Sequence, residues 1–147
     1  MKITLCGSIA FYDKMLDVKK ELERTGHRIQ LPPLEIKNDK GKMISVKEYY
    51  DLRKTETDPK SWVWKQKTLS IKSHFAKIEW GDAILVTNYD KNGVQGYIGG
   101  NTLMEMGIAL HLKKPIYLLH QIPELAYKEE ILGMRPTVIN RDFSLLA

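Results

Sequence analysis

Among the residues able to do chemistry, Glu105 has the most demanding setting. From Thr102 to Leu112 the chain reads as a helix that is apolar on nearly every side, with Leu103, Met104, Met106, Ile108, Ala109, Leu110 and Leu112 around this one carboxylate. A helix of that pattern is normally buried. A buried, unpaired carboxylate is costly or changes its pKa. The helix N-terminus favours the ionised form of Glu105 and burial opposes it, a contest of the kind that marks functional sites. A buried glutamate can equally close a local network of backbone amides or pair with a lysine.

Two glycine-bearing segments could bring a ligand to that carboxylate. In "CGSIAFYD", 6–13, Gly7 lets the backbone approach a ligand, and Ser8 with the nearby amides offers donors. In "NYDKNGVQGYIGGNT", 88–102, a glycine-rich loop runs into a helix N-terminus, a natural anion site. The candidate ligand-binding residues are Cys6, Gly7, Ser8 and Tyr12 at the first segment, and Asn88, Gly99, Gly100 and Asn101 at the second. Neither segment has the spacing of a dinucleotide fingerprint or a Walker motif. Glycines after strands also serve simply as turn residues.

The elements that must position these residues follow from pattern. Lys2–Cys6 is a short apolar run ending at Gly7-Ser8, a buried strand and a tight turn. Asp13–Thr25 carries Met15, Leu16, Val18 and Leu22 at helical spacing, with Gly26 as its stop. His27–Leu31 is a second strand, closed by Pro32-Pro33. Residues 34–60 are polar with little to bury, and read as an insertion or mobile lid with a short helix near Val46–Lys54. A long helix is predicted over Ser61–Trp80. "DAILVTNY", 82–89, is apolar without alternation and should be a central parallel strand. "PIYLL", a helix over Glu124–Leu132 and "PTVIN" complete the alternation. The expectation is one α/β domain over 1–147, a three-layer, flavodoxin-like sandwich with a five-stranded, mainly parallel sheet in the order 2-1-3-4-5. Ligands of such sheets bind beyond the strands' carboxyl ends, where the strand order reverses.

The totals restrict the function classes. The 147 residues carry a net charge of +5, which mildly favours anionic partners. Basic residues are interspersed with acidic ones, against a nucleic-acid-binding role. The single cysteine permits no internal disulfide and suits a reducing cytosol. No apolar run reaches membrane-spanning length, and the N-terminus does not read as a signal peptide. A soluble cytoplasmic protein is expected. His111 and His120 are too far apart and too poorly accompanied to suggest a metal site, and no cofactor is expected.

"CGSI" at the first strand end, "GDAILV", and "GGNTLMEMGIALHLKKPIYLL" together resemble the nucleoside 2-deoxyribosyltransferase family, which includes the 2'-deoxynucleoside 5'-phosphate N-hydrolases. The resemblance covers roughly 1–31 and 71–119. It implies the flavodoxin-like fold, a nucleoside or nucleotide substrate, cleavage of the N-glycosidic bond by hydrolysis or by transfer to another base, and homodimers whose neighbouring subunit completes each site. Glu105 matches the family's catalytic glutamate, as nucleophile or as stabiliser of an oxocarbenium-like carbon. Ser8 with Gly7 matches the element that contacts sugar or 5'-phosphate, and Gly99 and Gly100 fall where phosphate is contacted. The family's aspartate on the helix before the central strand falls near His74. A histidine could serve there as the acid, or simply face the helix beside Phe75.

Other residues have readings of both kinds. Trp62, Trp64 and Trp80 suit packing better than base stacking, whereas Tyr12 is a stacking candidate. Cys6 has no basic neighbour in sequence to activate it. Lys91, Arg135 and Arg141 could reach a phosphate or be solvated. The alternative to an enzyme is a non-catalytic nucleotide-binding or sensing module on the same fold. Cleavage of a larger dinucleotide, with 34–60 as added binding surface, is a third possibility.

Overall fold

In the computed structural model, which describes residues 1–146, the chain forms a five-stranded sheet flanked by helices on both faces, and a separate two-stranded hairpin. Strand β1 (Lys2–Cys6) leads through a turn of 3-10 helix into α1 (Tyr12–Arg24) and β2 (Arg28–Gln30). The insertion follows, as β3 (Glu35–Lys37), β4 (Met43–Ser45) and α2 (Val46–Thr55). Then come α3 (Trp62–Trp80), β5 (Ala83–Val86), α4 (Gly100–His111), β6 (Ile116–Leu118), α5 (Lys128–Gly133) and β7 (Thr137–Val138). The main sheet has the order β2-β1-β5-β6-β7 and every pairing is parallel. Counting only its own strands this is 2-1-3-4-5, the flavodoxin-like arrangement expected.

The pleat sorts the core into two layers. Successive strand residues point to opposite faces. Ile3, Leu5 and Leu85 pack with Met15, Val18 and Leu22 of α1 on one face. Cys6, Ile84 and Val86 pack with Ile78 of α3 and Met106 and Ala109 of α4 on the other. β1 and β5 are in register from Ile3↔Ala83 to Cys6↔Val86, and all four residues of β5 are buried. Burying one such aliphatic side chain stabilises the fold by about 1.5–3 kcal/mol, so truncating Leu85 to alanine should cost about 3 kcal/mol. The same alternation sends Thr4 and Cys6 toward α3, where Thr4 Oγ1 donates to the Lys77 carbonyl at 2.6 Å.

Helix α3 joins the two parts of the molecule because it is long. Nineteen residues span about 28 Å at 1.5 Å each. Its C-terminal half lies on the sheet through His74 and Ile78, and its N-terminal half carries Val63 into a small cluster with Ile36, Ile44 and Tyr49. Ser61 caps its start by accepting from the Val63 amide at 3.2 Å. Lys114 caps its end, the Nζ donating to the carbonyls of Ile78 at 2.8 Å and Gly81 at 2.5 Å, and to that of Glu79. A cation on the last carbonyls also matches the helix dipole.

Residues 34–60 differ from the expectation of a polar connection with little to bury. They form an antiparallel hairpin, Glu35↔Ser45 to Lys37↔Met43, and then a helix. Asn38 Oδ1 closes the hairpin turn by accepting from the amides of Lys40 and Lys42, both at 2.9 Å, and Gly41 supplies the left-handed φ of +76° there. Tyr49 anchors the helix, its hydroxyl donating to the Val63 carbonyl at 2.6 Å. The tryptophans 62 and 64 pack against this cluster rather than standing free, in line with the packing reading. Several other elements are shorter than expected: 82–89 keeps only Ala83–Val86 as strand, the helix expected at 124–132 is Lys128–Gly133, and "PTVIN" keeps two residues.

Candidate active site

The cleft opens beyond the carboxyl ends of β1 and β5. The chain leaves β1 toward β2 on one side while β5 pairs on the other, so this is the point where the strand order reverses. At the end of β1, Gly7 packs against Thr87: a side-chain carbon there would lie 2.3 Å from Thr87 Oγ1. The cleft has a volume of about 560 Å³, its mouth included. Gly7 and Ile9 come from the β1 end, and Pro32 and Pro33 from the end of β2. Ile36, Val46, Tyr49 and Arg53 come from the insertion, Lys67, Ser70, Ile71 and His74 from α3, and Asn101 and Glu105 from α4.

Glu105 is 4% exposed and His74 is 5% exposed. His74 Nε2 stands 3.4 Å from Glu105 Oε2 and 3.5 Å from Cys6 Sγ. Burial pushes the Glu105 carboxyl up to about 8, against a smaller opposing effect of the Lys67 charge. Burial, and then the charge of Lys77, push His74 down to about 4. Both groups are therefore largely neutral at pH 7, and their contact is not an ion pair. Lys67 is pushed down to about 8, first by burial and then by the charge of Arg53, while Glu105 pulls the other way. Burial, then the proximity of Glu105, raise the Cys6 thiol well above its ordinary range, so it is no nucleophile in these surroundings. A carboxyl that desolvation keeps protonated, in a cleft also lined by Arg53 and Lys67, suits a ligand that brings charge of its own. Cys6, His74 and Glu105 are the group of three potential metal-ligating side chains found together among the described residues, their ligand atoms all within 4.8 Å.

No family model matches the sequence, and no curated protein matches it. Two solved structures resemble the fold. One is a 2-deoxyribosyltransferase from Bacillus psychrosaccharolyticus, 21% identical over 80% of this chain and 71% of that one, with a TM-score of 0.45. The other is a conserved protein from Enterococcus faecalis V583, 15% identical over 99% of this chain and 94% of that one, with a TM-score of 0.50. At these identities the likeness concerns the fold alone.

The structure brings together some of the residues singled out from the sequence and separates others. Gly7, His74, Asn101 and Glu105 line the cleft, with Cys6 directly behind His74. Ser8 does not line it: its Oγ caps the 3-10 turn by accepting from the Ala10 amide, and receives Lys91 Nζ at 3.1 Å. Tyr12 is not placed to stack a ligand, because its ring is buried in the α1 layer and its hydroxyl donates to the Pro32 carbonyl at 2.8 Å. Asn88 has its amide group committed to loop closure. It donates to the carbonyls of Gly96, His120 and Gln121, and its Oδ1 accepts from the His120 amide. Gly99 and Gly100 open α4 without lining the cleft. Sequence reasoning missed Arg53, Lys67 and Tyr49, which all line it. Lys67 Nζ donates to Asn101 Oδ1 at 3.2 Å. Lys91, read as solvated or phosphate-seeking, instead joins the β1 turn to the insertion through Ser8 Oγ and the Tyr50 hydroxyl, each 3.1 Å away. Arg141 pairs with Glu21 at 3.3 Å on the exposed surface.

Proposed function

We propose that this chain cleaves the N-glycosidic bond of a nucleoside, deoxynucleoside or nucleoside 5'-monophosphate, with the sugar seated over Glu105. The observation that carries this reading is a nearly fully buried carboxyl, in an otherwise apolar helix, that lines an open cleft at the reversal point of the sheet. The motif resemblance of "CGSI", "GDAILV" and "GGNTLMEMGIALHLKKPIYLL" to nucleoside 2-deoxyribosyltransferases supports it from the sequence side.

In this mechanism Glu105, protonated in the free protein, first gives up its proton to solvent, a loss that the Lys67 charge favours. As carboxylate it meets the anomeric carbon as the bond to the base breaks. It either forms a glycosyl ester or pairs with the oxocarbenium-like centre. The bonding electrons leave with the base, which needs a proton. His74, pushed down to about 4, is a poor donor at neutral pH. Lys67, at about 8 and in the same cleft, is the better one. Water then completes a hydrolysis, or a second base completes a transfer. The two outcomes share the first step and differ only in the acceptor.

Two further features are part of the reading. The helix-and-hairpin insertion supplies Tyr49 and Arg53 to the cleft, which gives it the place of a substrate cover. A homodimer follows from the resemblance, and Leu69, Met104 and Leu110, exposed on the adjacent helices α3 and α4, provide apolar surface for it. One observation favours a second reading, a nucleotide-binding module without turnover: the position expected to hold an acid holds a neutral histidine. Incubation with a panel of nucleosides, deoxynucleosides and their monophosphates, with chromatography for free base, separates the two. Base release that disappears in Glu105→Ala supports the enzyme. Tight calorimetric binding with no release over hours supports the module.

A further inference from the structure

We propose that Cys6, His74 and Glu105 form a binding site for a divalent transition-metal ion of the zinc class, with three protein ligands and a fourth position open to the cleft. The three residues come from β1, α3 and α4, and their separation in sequence gives no motif; the fold alone assembles them. Two of the three spacings between their ligand atoms match what an ion requires, and the third, from Cys6 Sγ to Glu105, lies within 4.8 Å. Tetrahedral zinc holds sulfur at about 2.3 Å, imidazole nitrogen at about 2.0–2.1 Å and carboxylate oxygen at about 2.0–2.2 Å. Those lengths and a tetrahedral angle place sulfur and nitrogen about 3.5–3.6 Å apart, and nitrogen and oxygen about 3.3–3.5 Å apart. The observed separations are 3.5 Å for Cys6 Sγ to His74 Nε2 and 3.4 Å for His74 Nε2 to Glu105 Oε2. A direct hydrogen bond between an imidazole N–H and a carboxyl oxygen would be shorter, about 2.7–3.2 Å. The pair is slack as a hydrogen bond and correctly spaced as two ligands of one centre.

The chemistry of the donors agrees. One thiolate, one imidazole and one carboxylate make a borderline-soft set, suited to zinc or cobalt over magnesium or calcium. A coordinating ion deprotonates its thiol, which reverses the state that burial imposes on Cys6. A ligating imidazole keeps its other nitrogen toward a carbonyl or carboxylate. The buried Nδ1 of His74 has no hydrogen-bond partner, and the Leu5 backbone acts on the ring from β1. Cys6 lies behind the ring, while His74 and Glu105 line the cleft. An ion there would engage Glu105, so an occupied site and the nucleophilic role of Glu105 exclude one another, and the ion would suppress base release rather than take part in it.

The test titrates Co2+ into chelator-treated protein and reads the absorption spectrum. Expected are one cobalt per chain, tetrahedral d–d bands in the visible and a thiolate-to-cobalt charge-transfer band in the near ultraviolet. Cys6→Ser should remove the charge-transfer band, and His74→Ala should weaken binding at least tenfold. Because buried substitutions can cost folding, the wild-type chain provides the second readout: Zn2+ should raise its melting temperature and Mg2+ should not. An unsaturable or octahedral cobalt spectrum, a charge-transfer band that survives in Cys6→Ser, or a melting temperature that Zn2+ leaves unmoved would overturn the site. None of these readouts depends on nucleoside turnover.

Discussion

Replacing Glu105 by glutamine should make the metal-free protein more stable at neutral pH. Its carboxyl titrates at about 8 when folded, against an ordinary value of 4.5. Between these values the folded chain holds a proton that the unfolded chain releases, so folding binds a proton and stability falls as pH rises. The loss begins above 4.5 and is complete near 8. At pH 7 it spans about 2.5 units, each worth about 1.4 kcal/mol, or about 3 kcal/mol in all. That is a large fraction of a typical domain's stability of about 5–15 kcal/mol. Glutamine keeps the shape and carries no titrating group, so the variant should gain about 2–3 kcal/mol at pH 7 and close to nothing at pH 4.5. His74 has the opposite slope, since the unfolded ring takes up a proton below its ordinary 6.5 that the folded ring refuses until about 4. That contribution largely cancels when the two proteins are compared. The assay is urea unfolding of both, in chelator, at half-unit steps from pH 4.5 to 8.5. A glutamine variant no more stable than wild type at pH 7, or a difference that does not widen with pH, would refute the reasoning.

Further outcomes are expected elsewhere. Lys67→Met should lower kcat for base release about 100-fold with a smaller effect on KM, and unchanged steady-state rates would remove Lys67 as proton donor. Gly96→Ala should cost more than about 2 kcal/mol, because φ is +68° and the new carbon would lie 2.3 Å from the Gln121 carbonyl oxygen; urea midpoints measure it. Ile44→Ala should cost about 2 kcal/mol within the insertion, and hydrogen exchange should quicken over 35–55 while β1 and β5 stay protected. Uniform acceleration would mean that the insertion's small cluster is not a unit of its own.

What the sequence revealed, and what it hid, follows from how far each signal extends along the chain. β5 and α4 were legible because unbroken apolar runs have few alternatives to burial. The same logic made the burial of Glu105 visible, since the residues on every side of it are apolar. The hairpin was hidden because each of its strands offers one inward residue, Ile36 or Ile44, too few to show a period of two. Arg53 and Lys67 were hidden because both sit among other basic and polar residues and read as solvated, until α2 folds over the N-terminal half of α3. Asn88 and Tyr12 misled for a different reason. Each lies near a loop that could hold a ligand, and three-dimensional packing had already committed its polar atoms to backbone carbonyls. The association of Cys6, His74 and Glu105 depends on the pleat of β1 and the packing of α3 against α4, neither of which is written locally.

The most direct test of the central claim is a crystal structure with an unreactive deoxynucleoside or deoxynucleotide analogue bound. The sugar's anomeric carbon is expected about 3–3.5 Å from a Glu105 carboxyl oxygen, the spacing of a group poised to react, with the base toward Lys67. An analogue seated outside the cleft, or one whose sugar turns away from Glu105, would contradict the account.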